Sequence, residues 1–201
     1  TRRVAQRGAT MTGVDISPRF IAHAIDAERD TPMGVTFQVG SGQSLPFADD
    51  SFDFATSFMA VMDMPEPLAA FKEARRVVRP GGFFQFSITH PCFDTPHRRN
   101  LRDSNGVTYA VEVGKYFDNI DGRIDKWLFG AAPQAVRDQH RPFEIPRFQR
   151  TLSEWMNLLI DAGLTIDRLH EPRVSEEIAQ QRKDVQDTRV VAYFLHVRCR
   201  V

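Results

Sequence analysis

The sequence predicts an α/β domain with a mostly parallel sheet, and three observations lead there. Short apolar strands alternate with helical patterns through the first ninety residues. Proline and glycine punctuate the junctions between them, and the same rhythm returns after Thr151. Strands that alternate with helices at this spacing cannot be joined by tight hairpins, so they pair in parallel through crossovers.

Ala9 to Val14 reads as a strand ending at Asp15. Ser17 offers an N-cap and Pro18 a first-turn residue, and Phe20, Ile21, Ala24 and Ile25 then share one helical face. Val35 to Val39 is a second strand and Phe52 to Phe58 a third, the latter entered through the turn-rich Ala48-Asp49-Asp50-Ser51. Pro67 opens a helix that turns Leu68, Phe71, Ala74 and Val78 towards a core, and Pro80-Gly81-Gly82 is the expected stop. Gly82 to Thr89 is the next strand.

From Pro91 to Arg150 the alternation breaks. Prolines, glycines and aromatics (Tyr109, Tyr116, Phe117, Trp127, Phe129, Phe143, Phe148) replace it. Sixty residues without structure do not fit a compact domain, so this insertion is expected to carry short strands of its own. Thr151 and Glu154 then form a capping box. Leu152, Trp155, Met156, Leu159 and Ala162 keep helical spacing, and Gly163 ends the helix. Leu164 to Leu169 and Arg189 to Arg198 are the last two strands. The layout is a Rossmann-like body, residues 1–90 and 151–201, with an insertion at 91–150.

Composition narrows the partners. Twenty-six Lys and Arg balance twenty-six Asp and Glu, with no basic run longer than two, which argues against nucleic acid. No apolar run approaches the ~20 residues that cross a bilayer. Two cysteines, Cys92 and Cys199, form no disulfide framework and suit a reducing, cytoplasmic setting. A small-molecule partner is the expectation, and the oligomeric state is open.

The chemistry begins at Asp15. An acid at the end of such a strand is placed to accept hydrogen bonds from ribose hydroxyls, although aspartates also end strands as turn residues. The stretch Gly40-Ser41-Gly42-Gln43-Ser44-Leu45-Pro46-Phe47, followed by Asp50-Ser51-Phe52-Asp53, is more specific. Small residues let backbone N–H groups approach a flat base, and Leu45-Pro46-Phe47 would lock the corner by packing.

GVDIS, LPFADDSFD and EARRVVRPGG, in this order and at these intervals, resemble the class I S-adenosylmethionine-dependent methyltransferases. The resemblance is close over residues 1–90 and covers 151–201 in outline. It implies a sheet of order 3-2-1-4-5-7-6 whose last strand, here Arg189–Arg198, is antiparallel. It implies that Asp15 binds the ribose, Ile16 packs on the adenine and Ser41, Gly42 and Gln43 hold the adenine edge. By the same resemblance Ser57, Phe58 and Met59 approach the methionine end, and S-adenosylhomocysteine is the product. Ser41 stands where many relatives carry aspartate, at a cost of about 1 kcal/mol of hydrogen bonding.

The family's first motif, a strand and a glycine-rich loop (D-x-G-x-G-x-G), is missing from these 201 residues. Thr1 to Arg7 resembles the end of the helix that follows that loop, stopped by Gly8. Without the motif's strand, two strands would show unpaired edges inside the sheet. The expectation is therefore roughly 30–50 further residues ahead of Thr1.

His90, after the fifth strand of that scheme, is the candidate general base, the alternative being a residue that caps the strand. Tyr116, Phe117, Trp127, His140 and Arg147 in the insertion are candidate substrate contacts; Arg147 and Arg150 are candidates for binding an acidic substrate group, the alternative being solvated surface arginines. The aromatics serve equally as the insertion's own core. His90, Cys92, Asp94 and His97 include zinc-ligand types without a tight ligand pair, and no metal is assigned. The expected activity is methyl transfer to a small molecule under a lid formed by 91–150. The alternatives are a non-catalytic binding module of the same fold or a nucleotide-dependent oxidoreductase.

Overall fold

The computed structural model describes residues 1–128, 133–139 and 141–201. His140 lies outside the described residues, as does the side chain of Trp127. The fold is α/β with two separate sheets in its body. β1 (Thr12–Asp15) and β2 (Thr36–Val39) pair in parallel, joined by α2 (Pro18–Asp30), and α1 (Arg2–Ala5) precedes them. β3 (Phe52–Phe58), α3 (Pro67–Val77) and β4 (Val78–Thr89) follow. The insertion holds β5 (His97–Arg102), β6 (Thr108–Gly114), β7 (Arg123–Trp127), α4 (Gln134–Gln139) and β8 (Phe143–Arg147). The body resumes with α5 (Leu152–Asp161), β9 (Thr165–His170), α6 (Glu176–Gln181) and β10 (Phe194–Arg200).

The second sheet has the order β3-β4-β10-β9. β3 is parallel to β4, while β10 runs antiparallel to both β4 and β9. This is the 4-5-7-6 half of the expected order. The insertion's strands form two antiparallel hairpins, β5–β6 and β7–β8, so the break in rhythm after Pro91 marks strands and not loop.

The core sits on one face of the four-stranded sheet. Strand alternation sends Phe84, Phe86 and Ile88 of β4 and Leu195, Val197 and Cys199 of β10 to that face, all buried. Helical spacing sends Phe71 and Ala74 of α3 and Trp155 and Leu159 of α5 against them. Phe71 is fully buried, its ring 5.2 Å from Phe86, 5.9 Å from Phe84 and 6.1 Å from Trp155, centroid to centroid. The capping box is formed on both sides, Thr151 accepting from the Glu154 N–H and Glu154 from the Thr151 N–H. Gly163 ends α5 in the left-handed region at φ 76°.

Three boundaries differ from expectation. α3 stops at Val77, before Pro80, because Val78 already pairs with Phe52 and the Pro80-Gly81-Gly82 segment bulges out of that ladder before Phe83 meets Phe54. β10 begins at Phe194, not Arg189, because Lys183–Arg189 winds into a 3-10 turn that Thr188 closes on the Val185 carbonyl at 2.7 Å. On α2 only Ile21 of the predicted apolar face is buried, while Phe20 and Ile25 are exposed. Ala24 of the same helix lines a cavity of about 770 Å³, which also touches Thr1, Phe37, Ser57, Phe58 and His196.

Replacing Phe71 by Ala is expected to cost about 3–5 kcal/mol, since a fully buried ring among three aromatic neighbours leaves a cavity that cannot close. Urea unfolding checks this, and a loss below about 1 kcal/mol would show that the cluster is not the core.

Candidate functional site

The carboxyl ends of β1, β2, β3 and β4 gather the predicted cofactor residues. Asp15 ends β1, and its main-chain oxygen accepts the Gly40 N–H at 3.0 Å, so the chain leaving β2 starts beside it. Asp15 Oδ1 accepts the Ser17 N–H at 2.8 Å, and Ser17 Oγ in turn caps α2 through the Phe20 N–H. Ile16, between them, is 75% exposed.

The loop after β2 is a built turn. Ser44 N–H donates to the Ser41 carbonyl at 3.1 Å, and Ser41 Oγ accepts the Gln43 N–H at 3.2 Å. A side chain at Gly42 would come within 3.2 Å of Met64 Cε. The Gln43 amide nitrogen donates to the Glu66 carbonyl at 2.8 Å, which fastens the turn to the segment after β3. Ser41, Gly42 and Gln43 therefore come together with Asp15 as expected. The Gln43 amide nitrogen is used within the protein.

Two residues of α3 complete this corner, and the sequence reading gave neither a role. Arg76 donates from Nη2 to the Leu45 carbonyl (3.0 Å) and from Nη1 to the Phe47 carbonyl (2.7 Å) and Asp49 Oδ1 (2.8 Å). Glu73 grips Arg76 with both oxygens at 2.8 Å and accepts the Leu45 N–H at 2.7 Å. The Arg76 hydrogen bond holds the Glu73 carboxyl below the usual range. Glu73 and Asp49 raise the guanidinium further. The signal was present as the EARR of the third motif, four residues whose spacing puts an acid and a base one helical turn apart.

At the end of β3, Ser57 and Phe58 line the large cavity, and Phe58 is 78% exposed. Met59 takes the left-handed conformation at φ 52°, and its N–H donates to the Ser87 carbonyl at 3.0 Å. That turn re-aims the chain from β3 into the Val61–Asp63 3-10 turn.

His90 is buried at the end of β4 with both ring nitrogens engaged. Nδ1 accepts the Cys92 N–H at 3.2 Å, which leaves the proton on Nε2, 2.8 Å from Glu171 Oε1. Its own N–H donates to the Tyr193 carbonyl. The Tyr116 hydroxyl accepts the Leu152 N–H at 2.7 Å and so satisfies an open donor of the first turn of α5. Phe117 is 86% exposed, and neither aromatic lines a cavity among those described. His97 pairs with Glu112 at 2.7 Å. Arg147 lines a small cavity of about 30 Å³ at the ends of β3 and β4, where Asp94 (3.0 Å) and Asp125 (3.6 Å) hold its guanidinium.

Residues 1–86 match the family model of the Methyltransferase domain. The fold is that of the class I methyltransferases. An S-adenosylmethionine-dependent methyltransferase from Mesorhizobium loti superposes with a TM-score of 0.74 at 23% identity, over 100% of this chain and 84% of that one. The 4+2 cyclase SpnF shares the fold at a TM-score of 0.58 and 18% identity, over 98% of this chain and 68% of that one. Among curated relatives, a fatty-acid O-methyltransferase of Mycolicibacterium smegmatis is 30% identical over 142 residues, 66% of this chain and 50% of the relative. A demethylmenaquinone methyltransferase of Bacillus velezensis is 54% identical over 82 residues, 39% of this chain and 34% of the relative. The chain spans between 28% and 50% of the length of the curated relatives it matches.

The cofactor of class I methyltransferases, S-adenosylmethionine, fits the residues present. Asp15 supplies an acceptor for two hydroxyls, and exposed Ile16 supplies an apolar face beside it. The Ser41–Gln43 turn brings main chain close with no side chain at Gly42 in the way.

The corner's stability against acid follows from Glu73. A depressed carboxyl contributes fully above its ordinary pKa near 4.5 and is lost as pH falls through the lowered value. Amide exchange at Leu45 is therefore expected to stay protected at pH 5 and to open only at more acidic pH. In Arg76→Ala it is expected to be open already at pH 7, and protection that persists there would remove the Arg76–Glu73 pair as the latch.

Proposed function

We propose that the protein transfers a methyl group from S-adenosylmethionine to a small-molecule acceptor. The observation that carries this is Asp15 at the carboxyl end of β1, its main-chain oxygen taking the Gly40 N–H that leads into the Ser41–Gln43 turn after β2. When bound, the cofactor supplies an electrophilic methyl group. The chain's part is to hold it by Asp15 and the turn, and to present the acceptor in line at about 3–3.5 Å, away from water.

The insertion, residues 91–150, is placed to cover the acceptor, because its last residues Arg147 to Arg150 reach the ends of β3 and β4. Its two hairpins supply area that the body lacks at this end. A fatty acid and demethylmenaquinone in the relatives' names support a small acceptor with an apolar part. His90 serves this site by position. With one nitrogen accepting from Cys92 and the other donating to Glu171, it fixes the chain leaving β4 and has no free lone pair for a substrate proton.

The protein is read as cytoplasmic. Cys92 and Cys199 are free, burial pushes the Cys199 thiol up to about 11, and among the described residues no helix is long and apolar enough to cross a membrane.

β1 pairs with β2 and β3 with β4, and the ladders leave one side of β1 and of β3 unpaired among the described residues, where the 770 Å³ cavity touches Phe37 and Ser57.

Replacing Asp15 by Ala removes charge-assisted hydrogen bonds to the ribose, each worth about 1.5–3 kcal/mol. The dissociation constant for S-adenosylhomocysteine is expected to rise about 10- to 100-fold in titration calorimetry on the natural protein. Unchanged affinity would remove the ribose assignment. Binding of S-adenosylmethionine with no transfer to any fatty-acid or quinol acceptor would favour a SpnF-like role for the fold.

A further inference from the structure

The small cavity at the ends of β3 and β4 is lined by an arginine with one donor that lacks an acceptor. Arg150, three residues past the end of β7's partner β8, lies with its guanidinium carbon 5.7 Å from the Phe148 ring centre and 5.5 Å from that of Trp155. Its Nη2 donates to the Pro65 carbonyl at 2.6 Å, which fixes the plane of the fork. Its Nη1 is buried with no hydrogen-bond partner among the described residues. A buried donor without an acceptor is costly, so its retention calls for a partner that the protein does not provide.

The other polar groups of the cavity narrow the partner's chemistry. Arg147 already has Asp94 and Asp125, so its charge is balanced and Asp94 is not left to repel an anion. Asp63, on the 3-10 turn after β3, lines the same cavity; its carboxyl has no hydrogen bond among the described residues, and burial pushes it up from the ordinary value. Thr89 Oγ1 is turned to Met62 Sδ at 3.7 Å and offers nothing stronger. One unpaired donor, on a cation, borders a space of about 30 Å³, room for a head group and not for a whole molecule. Met62, Phe148 and Trp155 supply the apolar wall beside it.

We propose that this cavity binds the carboxylate of an acidic substrate, one oxygen taking Arg150 Nη1–H, with an apolar chain against Met62, Phe148 and Trp155. The site deepens the methyl-transfer reading by naming the acceptor's class, and it rests on that reading for its role in the reaction though not for binding. Its place fits the role, because the cavity opens between the residues that follow β3 and those that follow β4, the same end of the sheet as Ser57.

Octanoate and octanol are the probes, titrated into the natural protein by calorimetry, with and without S-adenosylhomocysteine. Octanoate is expected to bind at least about tenfold more tightly than octanol, and Arg150→Met to erase that preference. Arg150→Lys keeps the charge and the packing stem but loses the second donor, so it is expected to lower the preference while folding normally, and it stands in if the Met variant does not fold. Asp63→Asn removes a second carboxyl from the cavity wall and is expected to retain the preference or raise it. Equal affinity for the two probes, or a preference untouched in Arg150→Lys, overturns the proposal. Octanoate preference without S-adenosylhomocysteine binding would leave this site standing and sink the methyl-transfer reading. Cofactor binding without the preference would do the reverse.

Discussion

Among the described residues the two sheets of the body share no ladder, and the Arg76 guanidinium holds the loop that joins them. β1 and β2 carry Asp15, whereas β3 and β4 carry Ser57 and His90. A site that needs both must fix one sheet against the other. The loop after β2 does so by running to α3, where Arg76 holds the carbonyls of Leu45 and Phe47 and its own carbonyl accepts the Asp50 N–H at 3.0 Å. Glu73 fixes the guanidinium itself, so the fork is ordered before the loop reaches it. Several charge-assisted bonds on one planar group give direction as well as strength, which a lysine at this position would not. α3 in turn is anchored by Phe71 in the aromatic core, so the position of the turn at Gly42 depends on packing about 7 to 8 Å along the helix from Arg76.

Local signals were legible in the sequence where a residue acts on its own neighbours. The Thr151 capping box, the Ser17 cap and the left-handed Gly163 each work within a few residues, and each was found. The alternation of Phe84, Phe86 and Ile88 shows a buried face without any knowledge of what covers it. The apolar stripe of α2 misled for the same reason. Periodicity says which residues share a face, not whether that face has a partner, and Phe20 and Ile25 remain in solvent. The start of β10 was misplaced because Arg189 to Ala192 is apolar enough for a strand, while a 3-10 turn closed by Thr188 takes the chain first.

Site residues were legible in proportion to how far their role depends on the main chain. Asp15 and Ser41 to Gln43 sit at strand ends that pairing brings together, so order along the chain predicts them. Order along the chain places His90 after its strand, but its hydrogen bond to Glu171 joins groups 81 residues apart, which no local pattern shows. Tyr116 shows the same limit. Its hydroxyl serves a helix start 36 residues away, a use that no local pattern announces.

The two arginines at the end of β8 show how a three-residue interval reverses a chemical role. Both line the same cavity and both have the same side chain. Arg147 meets Asp94 and Asp125, and the Coulombic gain offsets the cost of its burial, so it is neutral towards an incoming anion. Arg150 meets a carbonyl and two aromatic rings, which orient the fork but carry no formal negative charge. The ring faces compensate part of the desolvation of a cation and none of the directional demand of its N–H groups. Only the second arrangement leaves charge and direction available together. Recognition of an anion at this end of the sheet therefore turns on which arginine the carboxylates of the insertion have already claimed.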